Sequence, residues 1–178
     1  MIDKKGYRAG VGIILVNQKG QLFWARRVRQ QSYQFPQGGM QEGETPEQAM
    51  YRELYEEVGL RAEDVRLISV TRHWLHYQLP TYFIRHGTFP LCIGQKQKWF
   101  LLELVGDEQS VNFNTTDTPE FDAWEWVHYW HPLSDVINFK KRVYRLVLRE
   151  FEYQVPQAKK SPAYMRGYLA RRLKRRSY

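Results

Sequence analysis

Apolar and polar positions fall into short blocks along this chain. Gly10 to Val16 is a nearly unbroken apolar run of the kind that fills a buried strand. Asn17-Gln18-Lys19-Gly20 has turn residues, and Gln21 to Val28 reads as a partner strand, so the two are expected to form a hairpin. The glycines and prolines of Phe35-Pro36-Gln37-Gly38-Gly39 mark a loop. A helical pattern follows. Thr45 can cap it, Pro46 suits the first helical position, and Gln48 can complete a capping box. The helix should run to Val58 and stop at Gly59. Val65 to Thr71, Trp99 to Val105 and Trp124 to Val127 read as strands. Phe139 to Tyr153 reads as a second helix, with Val143, Leu146, Val147 and Phe151 at helical spacing. Ser161-Pro162 is placed to open a third, basic helix. Strands mixed with helices predict an α/β domain, a mixed β-sheet with flanking helices.

Composition narrows this. The 178 residues, 43% of them hydrophobic, suffice for one domain with its own core. A single cysteine, Cys92, excludes an internal disulfide and a thiolate zinc cluster, and fits a reducing, cytoplasmic setting. Apolar runs are short, as in Phe100-Leu101-Leu102, far below the ~20 residues of a membrane span. Met1-Ile2-Asp3-Lys4-Lys5 has no apolar stretch behind its charges, so no signal peptide is expected. The net charge is +8, yet residues 159–178 hold eight basic groups and no acid. The rest of the chain is therefore neutral overall, and its basic character belongs to the tail. We expect a domain over residues 1–155 and a basic tail over 156–178, helical or disordered.

One helical turn carries the chemistry. Glu53, Glu56 and Glu57 stand at i, i+3 and i+4 and share a face. Three carboxylates there repel one another, with Arg52 as the local relief, and a hard divalent cation would resolve the conflict. A solvated acidic face is the ordinary reading of such a run. The surrounding spacing argues otherwise: Gly38, five residues, Glu44, seven residues, then Arg52-Glu53-Leu54-Tyr55-Glu56-Glu57-Val58-Gly59-Leu60. This matches all nine fixed positions, across 23 residues, of the Nudix box, so the chain resembles a Nudix hydrolase. The resemblance implies an α/β/α sandwich with a loop–helix–loop catalytic motif and hydrolysis of phosphoanhydrides with Mg²⁺ or Mn²⁺, several ions being expected. It implies Glu53, Glu56 and Glu57 as metal ligands, Arg52 as their orienting partner, Gly38 as a carbonyl ligand and Glu44 as a brace of the loop.

The box itself is silent on substrate. Further segments, among them Gly6-Tyr7-Arg8, Trp24-Ala25-Arg26-Arg27, Gln34 to Gly39, Cys92 to Phe100 and Thr118 to Asp122, resemble the bacterial RNA pyrophosphohydrolases over about residues 1–153. That likeness implies conversion of a 5′-triphosphorylated RNA end to a 5′-monophosphate, which promotes mRNA decay. Dinucleoside polyphosphate hydrolases such as those acting on diadenosine polyphosphates share much of the pattern and are the alternative. Lys96 and Lys98 alternate and would share one strand face, where they could meet the triphosphate together with Arg8 and Arg27. By resemblance, Glu120 is a further metal ligand or the residue that activates water. Phe139 beside Lys140 suits a base on a ring with phosphate near the cation; by resemblance Phe139 and Arg27 flank a base, and Tyr77 lines the same region. The pairs His73/His76 and His128/His131 sit among aromatics without thiol partners and are not read as a zinc site. The tail, with Tyr164, Tyr168 and Tyr178 among its charges, is read as an RNA-phosphate clamp. A monomer is expected, with no DNA specificity; a protein activator is left open.

Overall fold

The computed structural model describes residues 2–160 apart from Thr88. The basic helix expected from Ser161 and most of the tail fall outside the described residues. Among the described residues eight strands are formed: β1 (Tyr7–Val16), β2 (Leu22–Arg27), β3 (Tyr33–Gln34), β4 (Gln37–Gly39), β5 (Val65–Val70), β6 (Leu75–Gln78), β7 (Gly94–Leu104) and β8 (Phe121–Val127). The helices are α1 (Pro46–Val58), the one-turn α2 (Pro132–Asp135) and α3 (Lys141–Phe151). The main sheet order is β3-β2-β1-β7-β5, with β4 also on β1, β6 on β7 and β8 on β2. β1 and β7 run parallel from Tyr7 opposite Gly94 to Val16 opposite Glu103, while the other pairs are antiparallel.

Neighbouring apolar residues on each strand serve opposite faces. Val11, Ile13, Leu15, Phe23, Phe100 and Leu102 meet Met50, Leu54 and Val58 of α1. Ile14, Val16, Trp24, Trp99 and Leu101 meet Val143, Tyr144, Val147, Leu148 and Phe151 of α3. The sheet is thus a filling between two helices, the α/β arrangement the pattern predicts.

The expected hairpin is real but short. Val16–Leu22 is the registered β1–β2 pair, and beyond it the strands part. β4 takes the β1 edge at Gly10–Gly12, and β3 takes β2 at Ala25 and Arg26. Phe35, fully buried with ring centroids 4.9 Å from Trp24 and 5.0 Å from Tyr144, anchors the inserted segment. This split in the sheet makes room for a cleft.

α1 begins and ends as its sequence predicts. Thr45 Oγ1 accepts from the Gln48 amide at 3.2 Å and Gln48 Oε1 from the Thr45 amide at 2.9 Å. Gly59 closes the helix at φ 78°, a left-handed conformation that glycine takes without strain. The second helix differs from expectation. It starts at Lys141, and Phe139 lies in the 3₁₀ turn Asn138–Lys140 before it. Leu146 is 43% exposed, because at ~100° per residue it projects about 130° from the centre of the buried stripe. Packing also continues past residue 155: Ala158 is buried, and the Trp130 indole donates to its carbonyl at 3.0 Å.

Candidate active site

The split in the sheet holds a cleft of about 810 Å³. α1 reaches it because glycine lets the loop come close. A Cβ on Gly38 would lie 1.8 Å from the Glu53 carboxyl carbon, so that carboxylate rests on the loop backbone. A Cβ on Gly39 would lie 2.5 Å from the Arg8 guanidinium, which rests there in the same way.

Arg52 is the hub of the acidic wall, to which Glu53 and Glu57 contribute lining side chains and Glu56 does not. It donates to Glu44 through Nε at 2.8 Å and Nη2 at 2.9 Å, to Glu53 at 2.7 Å, to Glu56 at 2.9 Å and to the Gly39 carbonyl at 2.8 Å. These charge-assisted bonds push the guanidinium pKa up and hold Glu44 below the usual carboxylate range. Glu44 also accepts from the Gln41 amide at 2.8 Å, so it ties the loop to the helix. For Glu53 the order of effects reverses. Its burial outweighs the Arg52 bond, and its pKa rises. Glu57 accepts from the neutral Gln37 amide at 2.8 Å. Burial, and then the charge of Glu120, push it well above the ordinary value. Two carboxylates held in partial desolvation are short of positive charge. Among the described residues, no three His, Cys, Asp or Glu side chains converge on one point. Glu53, Glu56 and Glu57 are instead spread over the Arg52 guanidinium and the Gln37 amide.

The cleft is also lined by basic and aromatic side chains. Arg8, Arg27 and Lys140 line it with Tyr77 and Phe139, and Glu120 stands in the same cleft. Arg27 Nη2 lies 3.9 Å from Glu120 Oε2, while its buried Nε has no hydrogen-bond partner. Lys140 is buried and donates to Gln34 Oε1 at 2.9 Å. Burial, and then the charge of Arg27, lower its pKa to about 8. Tyr77 and Phe139 stand with ring centroids 5.7 Å apart, and burial raises the Tyr77 pKa, keeping its hydroxyl neutral.

Lys96 and Lys98 do share a face of β7, but neither lines the cleft. Lys96 pairs with Asp3 at 2.7 Å and lies 5.7 Å from the Trp74 ring centroid. Lys98 donates to the Thr71 and Arg72 carbonyls at 2.8 and 3.0 Å. The reason is strand parity. Arg8 stands opposite Gln95 in the parallel β1–β7 register, so Gln95 turns to the cleft and the lysines turn away. Sequence reasoning favours cations and so passes over Gln95 and Gln34; it also misses Phe83 and Arg85, which lie in a loop without a motif, and all four line the cleft. The signal that could have found Gln95 is Arg8 itself, once β7 is known to lie beside β1. A smaller cavity of about 350 Å³, beside Arg66, Glu103 and Gln157, lacks such convergent charge.

Carboxylates and cations lining one cleft suit a polyphosphate, provided a cation offsets the acids; the rings offer a flat surface beside it. Comparisons with known proteins agree with that chemistry. The NUDIX domain family model matches residues 6–150. An RNA pyrophosphohydrolase of Photobacterium profundum is 61% identical over 151 residues, 85% of this chain and 87% of that protein. One of Photorhabdus laumondii is 53% identical over 175 residues, 98% of this chain and 99% of that protein. The structure of the E. coli dihydroneopterin triphosphate pyrophosphohydrolase shares the fold, with a TM-score of 0.64 at 21% identity, covering 81% of this chain and 98% of that one. With the family model spanning most of the sequence and the relatives more than half identical, the loop–helix–loop of Gly38 to Leu60 has its place: the chain belongs to the Nudix family.

Proposed function

We propose that this chain hydrolyses the 5′-triphosphate end of RNA, leaving a 5′-monophosphate and releasing pyrophosphate, and so promotes mRNA decay. The observation that carries this is a single cleft lined both by Glu53, Glu57 and Glu120 and by Arg8, Arg27 and Lys140, with Phe139 alongside. The RNA pyrophosphohydrolases that match it nearly end to end support the same reading.

Nudix hydrolases work with divalent cations. The residues here fit one. The donors are hard oxygens, and burial leaves Glu53 and Glu57 under-compensated. Arg52 takes one oxygen each of Glu53 and Glu56, leaving the second to a cation. Mg²⁺ or Mn²⁺, as more than one ion, would be held by Glu53, Glu56, Glu57 and the Gly38 carbonyl, with Glu120 as a further carboxylate or as the proton acceptor. When bound, such an ion supplies positive charge against the phosphate oxygens and acidifies water. Arg8, Arg27 and Lys140 bind the remaining phosphate charge, and Arg52 keeps the carboxylates aimed. Water oxygen bonds to phosphorus as the bridging P–O bond breaks, and its proton passes to a carboxylate of the acidic wall. The base of the RNA lies between Phe139 and Arg27.

No helix among the described residues is long and apolar enough to cross a membrane. We place the enzyme in the cytoplasm as a monomer without DNA specificity, its basic tail gripping RNA phosphates. Ending the chain after Lys160 should then flatten the salt dependence of RNA binding; an unchanged slope removes the tail from the reading.

The deciding assay is side by side. Triphosphorylated RNA with Mg²⁺ should yield pyrophosphate and 5′-monophosphate RNA. Inert RNA beside rapid cleavage of diadenosine tetraphosphate would instead make the chain a dinucleoside polyphosphate hydrolase.

A further inference from the structure

The loop after β6 exposes large apolar side chains: Tyr82 at 79%, Phe83 at 49%, Phe89 at 100% and Leu91 at 38%. Two of these are continuous with the cleft. The Phe83 ring lies 5.7 Å from Phe139, and the Tyr82 ring 4.8 Å from Phe83. With the 5.7 Å contact of Tyr77 and Phe139, the four rings form a row from a 6% exposed tyrosine inside to a 79% exposed one outside. The outer end is a 3₁₀ turn, Thr81–Phe83, in which the Phe83 amide donates to the Pro80 carbonyl at 2.8 Å and the Ile84 amide to the Thr81 carbonyl at 3.1 Å. Arg85, two residues on from Phe83, also lines the cleft.

We propose that Tyr82 and Phe83 form a stacking platform for the RNA nucleotides that follow the one at Phe139, extending the substrate site beyond the cleft. This rests on the RNA reading above and deepens it. Apolar rings exposed to water serve a contact when they cluster. Here the cluster begins where the chain of a bound RNA must leave, since the triphosphate occupies the charged interior. Bases stack on aromatic rings whatever their sequence, so such a platform favours longer RNA without selecting bases. A dinucleoside polyphosphate has no downstream strand to use it.

The test compares 5′-triphosphorylated RNAs of two and six nucleotides. Wild-type enzyme should favour the longer one in kcat/KM. In the Tyr82→Ala/Phe83→Ala double variant that preference should fall by about tenfold, through KM and not kcat. Tyr82→Ala alone, whose ring stands clear of Phe139, should fall in the same direction by less. Tyr82→Phe/Phe83→Trp keeps the rings and should retain the preference. Equal losses on both lengths, or an unchanged length preference, overturn the platform; the latter leaves the exposed rings to a protein partner. Wild type that cleaves both RNAs equally removes the platform but preserves the RNA reading, whereas wild type that cleaves neither removes both.

Discussion

α3 buries Val143, Tyr144, Val147, Leu148 and Phe151 against one face of the sheet. α1 buries Ala49, Met50, Leu54 and Val58 against the other, but sets Glu53 and Glu57 in the same face. The two helices do the same packing work with different tolerance for charge. α3 is an apolar stripe with arginines outside it. α1 gives up part of its buried surface to carboxylates whose pKa values rise because water has been removed. Strain of that kind persists where it serves chemistry. α3 makes its own contribution just before its first turn, where buried Lys140 reaches the same cleft. The cleft therefore receives a buried acid from one helix and a buried base from the start of the other.

The widest separation between the helices should appear in Glu57→Gln. On the proposed mechanism, in which Glu57 holds a cation, this variant loses orders of magnitude in kcat. Gln retains an oxygen for the Gln37 amide and removes the desolvated charge, so in metal-free buffer its Tm should stay level or rise. A large fall in Tm would place Glu57 with the structural residues of α3 and break the contrast. Next comes Leu148→Ala, which should cost about 2–5 kcal/mol by denaturant titration while leaving kcat per folded molecule intact. Loss of kcat without loss of stability would equally undo the distinction.

The two buried charges should also give opposite pH slopes. Glu57 has a raised pKa when folded, so the folded state binds its proton more readily than the unfolded chain. Its effect is to lower stability as pH climbs from the unfolded carboxylate value towards the folded one. Lys140 is lowered to about 8 from 10.5. Between those values the unfolded chain holds a proton that the folded one has lost, so stability rises with pH across that window. A tenfold change in proton affinity on folding corresponds to about 1.4 kcal/mol, and since the shift exceeds two such steps, Lys140→Met should flatten the rise by roughly 3 kcal/mol. Parallel curves for variant and wild type between pH 8 and 10.5 would show that Lys140 is not desolvated.

Much of α1 can be read in advance because its signals are local. Thr45, Pro46, Gln48 and Gly59 state its ends, and the acidic face follows from spacing alone. β3 and β4 escape a reading of this kind because two or three residues hold no period, and two of the three in β4 are glycines. Leu146 misleads because an isolated leucine at i+3 fits a helical stripe as well as Tyr144 or Leu148 does. The cleft's basic and aromatic lining is legible in part. Arg8, Arg27 and Phe139 stand out as cation and ring, but Gln34 and Gln95 are uncharged and gain meaning only from their neighbours in space.

Lys96 and Gln95 put that lesson in its finest form, since they are adjacent residues on opposite faces of β7. Lys96 commits its charge to Asp3, whose pKa it holds down to about 2, chiefly by the hydrogen bond between them. Lys96→Ala should therefore move kcat/KM by less than about twofold, the ordinary scale of a substitution away from a site. The Asp3 carboxyl should meanwhile titrate closer to the usual carboxylate range, which NMR can follow. Gln95→Ala should instead raise KM, because its side chain faces the cleft beside Arg8. If Lys96→Ala raised KM while Gln95→Ala left it alone, the lysine face and not the glutamine face would be the one that meets phosphate, and the parity of β7 would have to be reversed.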